Sequence, residues 1–180
     1  MPLPAFFCHT SLHPSFVDDI LDIHIIYEYD AADNDGNPEK WRYEFWFFSE
    51  YRVVYSIHGG PMKGRQNYQT CRYQSQNFPA QTANVATNEE PRETGTFVSL
   101  VYDIKQKKIT TGAAFSKGHW DHAKEAHGDK RNPEDFERWR GLAKLGIATE
   151  RLVLVEQANV LQVFKGPGEL QPIAPDAVTF

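Results

Sequence analysis

Short runs rich in β-branched and aromatic residues recur along this chain, each bounded by Gly, Pro, Asn or Asp. The run from Ile23 to Tyr29 is of this kind, and Trp41 to Phe48 is apolar on nearly both faces apart from Arg42 and Glu44. Residues 30–40 between them have the composition of a loop. The pattern predicts strands at residues 23–29, 41–48, 53–58, 64–73, 96–103, 109–115, 152–155 and 158–164.

Helical signals are confined to short segments. Residues 15–21 predict one helix with Ser15 as its N-cap, and residues 116–126 predict a second. Asn132 followed by Pro133 is a good helix start, since Asn caps and Pro suits the first helical position. The polar residues 77–92 are interpreted as a long connection with at most a short strand.

The number of strands and the short turns between them predict the fold class. About seven to nine strands in sequence favour antiparallel pairing, and about eight strands closed on themselves can enclose one small ligand. We therefore expect a mainly β protein, an antiparallel β-barrel with short peripheral helices. Residues 1–180 form a single domain in this interpretation, with an N-terminal arm at 1–22, a helical insert at 116–146 and a tail at 166–180.

Composition and charge narrow the choice of partners. Aromatic residues make up 13% of the 180 residues, which suits pleated and half-buried surfaces. The net charge of −5 and the lack of a basic stripe argue against nucleic acid. No apolar run approaches the roughly 20 residues that span a bilayer, so we expect no membrane partner.

Location and assembly are read from the same composition. With only Cys8 and Cys71 and no secretory signal among the first residues, we expect a cytoplasmic protein. The Tyr and Trp content is compatible with a homodimer.

Two tyrosines predict the start of a binding site. Tyr27 and Tyr29 are two residues apart on a strand, so both phenols point to one face. Trp41 and Tyr43 repeat this spacing on the next predicted strand. Flat walls of this kind suit an aromatic ligand, although ordinary core packing explains them equally well.

Charged residues near these strands suggest an acid-binding site. Arg65 follows Gly64, and an arginine inside a barrel requires a carboxylate or a ligand anion. Its planar fork suits a carboxylate. Glu93 directly precedes Thr94, and a glutamate in an apolar pocket can donate a proton near neutral pH. Surface positions for both side chains are the alternative.

Three histidines raise the question of a metal site. His119, His122 and His127 follow the spacing H-x2-H-x4-H, which fits none of the common zinc patterns. We interpret them as part of a solvated helical face and predict no metal ligands.

Several short motifs together resemble the phenolic acid decarboxylases, a family of cofactor-free enzymes with a lipocalin-like barrel. The matching segments are Ile26-Tyr27-Glu28-Tyr29, Trp41-Arg42-Tyr43-Glu44, Tyr55-Ser56-Ile57-His58 with Gly60 and Gly64-Arg65, Thr94-Gly95-Thr96 with Val98-Ser99-Leu100, and less sharply Gly112 to Phe115 and Ala158 to Phe164. Their order and rough spacing hold over about residues 23–165.

The resemblance implies roles for individual residues. Tyr27, Tyr29 and Arg65 would be catalytic together with Glu93. The substrate would be bound by residues from three of the segments, Trp41, Tyr43, Tyr55 and Val98, and by Glu90.

The position of the glutamate departs from the family pattern. The family has a Glu-Pro step directly before Thr-Gly-Thr, where this chain has Arg92. Glu90-Pro91 keeps the step but lies two residues too early, and Glu93 adjoins the Thr94 segment. We prefer Glu93 as the proton donor, with Glu90 as the alternative.

The implied reaction is non-oxidative decarboxylation of a para-hydroxycinnamic acid to a vinylphenol, without a cofactor. The substrate's para-hydroxyl would serve as electron sink through a quinone methide, and the only expected partner is this aromatic acid. Two rival functions remain: a related barrel lyase or isomerase for another unsaturated or aromatic metabolite, and a non-catalytic lipocalin-type binder. The end of the substrate that faces the tyrosine pair is left open.

Overall fold

The computed structural model describes residues 11–77, 81–88, 93–147 and 149–179, and in them the chain is mainly β. The strands of these residues are β1 (Ile23–Ala32), β2 (Pro38–Phe47), β3 (Arg52–Ile57), β4 (Arg65–Asn77), β5 (Gln81–Asn88), β6 (Phe97–Asp103), β7 (Lys108–Ser116), β8 (Gly128–Asp129) and β9 (Arg151–Lys165). The helices are α1 (Phe16–Asp19), α2 (Lys117–Asp121), α3 (Pro133–Leu142) and a 3-10 helix (Ala123–Ala126).

All strands belong to one sheet with the order β3-β2-β1-β9-β7-β6-β5-β4-β8. The eight long strands pair antiparallel, whereas the two-residue β8 pairs parallel with β4, so the sheet is mixed. β3 also pairs antiparallel with β4, in a register that joins Arg52 to Thr70 and Ser56 to Gln66. Each of the eight long strands therefore has a hydrogen-bonded neighbour on both sides.

Alternating side chains of β1 to β3 build one apolar inner face. Ile25, Tyr27 and Tyr29 are buried on β1, and they are two residues apart because successive side chains of a strand point to opposite faces. Phe45 on β2 stacks on Tyr55 of β3 with ring centroids 5.0 Å apart. One part of this face is closely packed with aromatic and aliphatic side chains, among them Phe16, Ile20, Ile25, Phe47, Leu100 and Ile109.

The helical insert, which lies between β7 and β9 in the chain, packs against the sheet. Asn132 caps α3, because its side-chain oxygen accepts a hydrogen bond from the amide of Glu134, and Pro133 occupies the first turn. Trp139 and Leu142 are buried on one side of α3. None of the helices in the described ranges has the length and apolar character needed to cross a membrane.

The tail lies on the outer face of the sheet. Leu170 packs with Trp46 and Val54 in a second, smaller apolar cluster. The carbonyl oxygen of Gly166 lies 3.1 Å from Nδ1 of His24, which is completely buried. The predicted tail is thus anchored to β1 and β2.

The structure corrects several predicted elements. Residues 81–88 form a full strand where the polar sequence predicted a connection, and the two last predicted strands are one continuous strand, β9. The helix predicted at 116–126 divides into α2 and the 3-10 helix. The mainly β prediction with few short helices is confirmed, but the sheet is mixed rather than purely antiparallel.

Candidate functional site

A cavity of about 380 Å³ is lined by residues from seven strands of the sheet and from α2. Its walls are mainly apolar and aromatic, with contributions from Tyr27, Tyr29, Trp41, Tyr43, Phe45, Tyr55, Phe115 and Trp120. The charged or titratable residues in the lining, besides the tyrosines, are Asp30, Arg65, His119 and Glu156. Few polar groups in an apolar cavity of this size are typical of a small-molecule site.

Three phenols meet on the side formed by β1 and β2. Tyr27 lies 5.6 Å from Tyr29 and 5.8 Å from Tyr43, and Tyr29 lies 5.5 Å from Tyr43, all between ring centroids. Register explains the contact, because Tyr27 is directly opposite Tyr43 in the β1–β2 pair. The hydroxyl of Tyr29 also forms a hydrogen bond with that of Thr111 on β7.

Burial further favours the neutral form of these phenols. Burial raises the pKa of Tyr27 well above its usual value, and the neighbouring Tyr29 and Tyr43 raise it further. Burial also raises the pKa of Tyr29 and of Tyr43, and the positive charge of Arg65 opposes part of the effect on Tyr43. Neutral phenols can donate hydrogen bonds to an anionic oxygen, which is how they would contribute to a ligand site.

Arg65 begins β4 and is only 2% exposed. Its Nε donates to the hydroxyl of Tyr55 at 3.1 Å, and Nη1 donates to the carbonyl of Ala126 at 3.2 Å. The guanidinium carbon lies 3.9 Å above the centre of the Trp139 ring. The helical insert therefore positions this cation through Trp139 and the 3-10 helix, and a fixed guanidinium suits a carboxylate ligand.

Glu93 is buried outside the cavity lining. Its Oε2 accepts a hydrogen bond of 2.7 Å from Nε2 of Gln69, and its Oε1 pairs with the ammonium of Lys130. The Glu93 and Lys130 side chains are 0% and 2% exposed. Lys130 also lies 4.3 Å above the ring of Tyr68 and donates to the backbone carbonyl of that residue. The pair joins the helical insert to β4 in the interior of the protein.

His119 lies on α2 and is one of the residues that line the cavity. It is 1% exposed, and its Nδ1 lies 3.0 Å from Oγ of Ser116. The same hydroxyl donates to the carbonyl oxygen of Thr94 at 2.9 Å. Ser116 therefore links His119 to the backbone carbonyl of Thr94, the residue that follows Glu93.

The structure brings most of the predicted site residues together. Seven of them line the cavity, namely Tyr27, Tyr29, Trp41, Tyr43, Tyr55, Arg65 and Val98. Glu93 does not contribute to the described lining, and its carboxylate is bound by Gln69 and Lys130. Glu90 lies outside the described residues.

Three residues were missed or misread from the sequence. His119 is buried beside the cavity rather than solvated, whereas His122 is an exposed partner of Glu125. Lys130 and Trp139 were not recognised as partners of the two predicted charges. A useful signal was the Ser-x-x-His spacing at the end of β7, which permits a hydrogen bond between the two side chains. No group of three or more His, Cys, Asp or Glu that could hold a metal ion occurs among the described residues.

No protein-family model matches the chain, and a search of curated proteins finds no significantly similar sequence.

Proposed function

We propose that this protein is a cofactor-free carbon–carbon lyase that decarboxylates a para-hydroxycinnamic acid to a vinylphenol. One observation carries the proposal: three neutral phenols in mutual contact and one buried guanidinium line the same apolar cavity. Such a cavity offers both hydrogen-bond donors and a cation to a planar acid.

The size and walls of the cavity suit this substrate class. About 380 Å³ is near the lower end of the range of about 300–1,000 Å³ for small-molecule sites. Trp41, Phe115 and Trp120 provide flat apolar surface for an aromatic ring. Hydrogen bonds and charges act more strongly on the part of a ligand that these apolar walls cover, because water is excluded there.

Charge supports one orientation of the substrate. Arg65 is a cation in the lining, whereas Asp30 on β1 and Glu156 on β9 add negative charge to it, and the charge of Glu156 helps to raise the pKa of Tyr29. A substrate carboxylate is attracted to the guanidinium and repelled by the two acids. We therefore place the carboxylate at Arg65 and the phenolic oxygen near Tyr27 and Tyr29.

This orientation gives the tyrosines a chemical task. Breaking the bond to the carboxylate requires a temporary acceptor for an electron pair, and the para-hydroxyl supplies one when it ionises. Hydrogen bonds from neutral Tyr27 and Tyr29 stabilise the phenolate form of the substrate and must outweigh its repulsion by Glu156, whose charge acts on Tyr29. Protonation of the alkene carbon next to the carboxylate then gives a quinone methide, from which carbon dioxide leaves.

We also propose that the eight long strands form a lipocalin-like barrel. The strand pairings continue from β4 to β3, and the strands surround one ligand-sized cavity. Both features are expected of a lipocalin-like barrel of eight strands.

The test is direct. Purified protein is incubated with p-coumarate or ferulate, and loss of substrate absorbance and formation of vinylphenol are followed. Cinnamate, which lacks the para-hydroxyl, is the matched control and should not react, because its ring has no group to accept the electron pair. Absence of carbon dioxide release from every para-hydroxycinnamate tested would refute the proposal.

The position of Glu93 favours a second candidate function. Glu93 pairs with Lys130 and does not contribute to the lining formed by the described residues, and the alternative donor Glu90 lies outside those residues. A lyase or isomerase for another unsaturated aromatic acid would use the same phenols and guanidinium. Conversion of such an acid with p-coumarate bound but unreacted would favour this candidate, and binding without any turnover would favour a lipocalin-type binder.

A further inference from the structure

His119 is a titratable residue of the cavity lining that has no role in the mechanism proposed above. It lies on α2, directly before Trp120, and both residues line the cavity together with Arg65. Imidazole is the side chain best suited to move protons near neutral pH. Which ring nitrogen of His119 can accept a proton depends on which nitrogen already carries one in the neutral ring.

Hydrogen bonding fixes that tautomer. The Ser116 hydroxyl has one hydrogen, and it donates this hydrogen to the carbonyl oxygen of Thr94, which can only accept. In the contact between Ser116 and His119 the donor must therefore be Nδ1–H of the histidine. The acceptor lone pair of the neutral ring then lies on Nε2.

The backbone around Gly95 supports this arrangement. Gly95 has a φ of +67°, and a Cβ at this position would lie 3.1 Å from Cβ of Ser116. A residue with a side chain would be strained there and would press on the serine. Gly95 thus allows the Thr94 segment to approach closely enough for its carbonyl to hold Ser116.

We propose that His119 is the catalytic residue that delivers the proton to the substrate, with Ser116 as a positioning residue. The proposal rests on the proposed function, and it assigns to His119 the step that the resemblance gives to Glu93. It follows from three observations: His119 lines the cavity, its tautomer is fixed, and Glu93 is engaged with Lys130.

The proton balance of the step is simple. Nε2 takes a proton from water to give an imidazolium, whose positive charge the bound substrate carboxylate offsets. The phenol releases its proton to water, and its electron pair moves through the ring while the alkene carbon next to the carboxylate takes the proton of Nε2. The carbon–carbon bond then breaks, carbon dioxide leaves, and the bond's electron pair restores the alkene and the phenolate, which regains a proton from water. One proton is consumed for each carbon dioxide released.

The first experiment compares His119→Gln with His122→Gln. Both are the same substitution in the same insert, but His122 is exposed and pairs with Glu125. We expect His119→Gln to lower kcat for p-coumarate by about 10²-fold or more and His122→Gln to leave kcat unchanged. The dissociation constant of 3-(4-hydroxyphenyl)propanoate, which has no alkene to protonate, should change by less than about 3-fold in His119→Gln. A kcat within about 3-fold of the wild type, or a loss confined to binding, would overturn the proposal.

A second measurement needs neither a folded variant nor turnover. In wild-type protein with ¹⁵N-labelled histidine, NMR identifies the tautomer of His119, and we expect Nδ1 to carry the proton in the neutral ring. Binding of 3-(4-hydroxyphenyl)propanoate should shift the Nε2 resonance towards its protonated position. An Nε2–H tautomer, or an Nε2 resonance that the ligand leaves unchanged, would contradict the role of His119. If the wild type releases no carbon dioxide but both NMR results are as expected, the decarboxylase function fails and His119 remains the proton-transfer group for another substrate.

Discussion

The buried pair of Glu93 and Lys130 gives the sharpest prediction about stability. In Glu93→Gln the carboxylate becomes a neutral amide of nearly the same shape, and the ammonium of Lys130 stays in the interior without its counter-charge. The two side chains are 0% and 2% exposed, so water cannot replace the lost partner. A proton donor in the cavity would behave differently, since its amide variant would lose turnover and keep its stability.

The expected loss is large. Removing one partner of a buried ion pair costs about 3–5 kcal/mol, because the remaining charge is uncompensated. For a chain of this length each kcal/mol corresponds to about 2–4 °C in Tm, so we expect a decrease of about 6–20 °C. In Glu93→Gln/Lys130→Met neither charge remains, and methionine still packs on the Tyr68 ring. The double variant should therefore lose less stability than the two single variants added together.

Thermal and urea unfolding monitored by circular dichroism measure these differences. The matched control is Glu137→Gln, which removes the exposed partner of Arg140 and should change Tm by less than about 2 °C. The reasoning is refuted if Glu93→Gln keeps the wild-type Tm, or if the double variant is destabilised by the full sum of the single variants.

Three further predictions concern the other buried groups. The pKa of Tyr27 and of Tyr43 is raised in the folded protein, so above about pH 10 the folded state holds protons that the unfolded state releases. The free energy of unfolding should therefore fall as pH rises through that range. Urea titrations at increasing pH test this, and a flat profile would contradict it. Burial raises the pKa of the Cys71 thiol to about 12. In a Cys8→Ser variant, which leaves Cys71 as the remaining thiol, Ellman's reagent at pH 8 should therefore react only after unfolding. Rapid reaction of the native protein would show that the thiol is accessible. Arg65→Lys keeps the charge but loses the planar contacts of the guanidinium, and we expect at least about 10-fold weaker binding of 3-(4-hydroxyphenyl)propanoate by calorimetry, whereas unchanged binding would mean that Arg65 does not hold the carboxylate.

The walls of the cavity could be predicted because they follow from local periodicity. Tyr27 and Tyr29 share a face wherever their strand lies, and the antiparallel pairing of consecutive strands then brings Tyr43 opposite Tyr27. Arg65 was predicted from its glycine neighbour and from the cost of burying an arginine. Residues 81–88 were missed as a strand because their small and polar side chains carry no hydrophobic alternation, and their pairing with β4 and β6 decides their conformation.

The roles of the charged residues depended on contacts between distant parts of the chain. Glu93 precedes the Thr94 segment in sequence, which made it the natural proton donor, but Lys130 from the insert lies 37 positions away and neutralises it. His119 was interpreted as solvated because its own helix is short and polar. The packing of α2 at the end of β7 places this residue in the cavity lining instead.

The sequence by itself determined the β-rich character, most of the strands and the aromatic face, because side-chain alternation and turn residues act over a few positions. Only the tertiary structure decided which carboxylate is paired, which histidine reaches the cavity and where the helical insert holds Arg65. Each of these depends on a partner brought close by folding, and the free energy of a buried charge is set by that partner rather than by its neighbours in sequence.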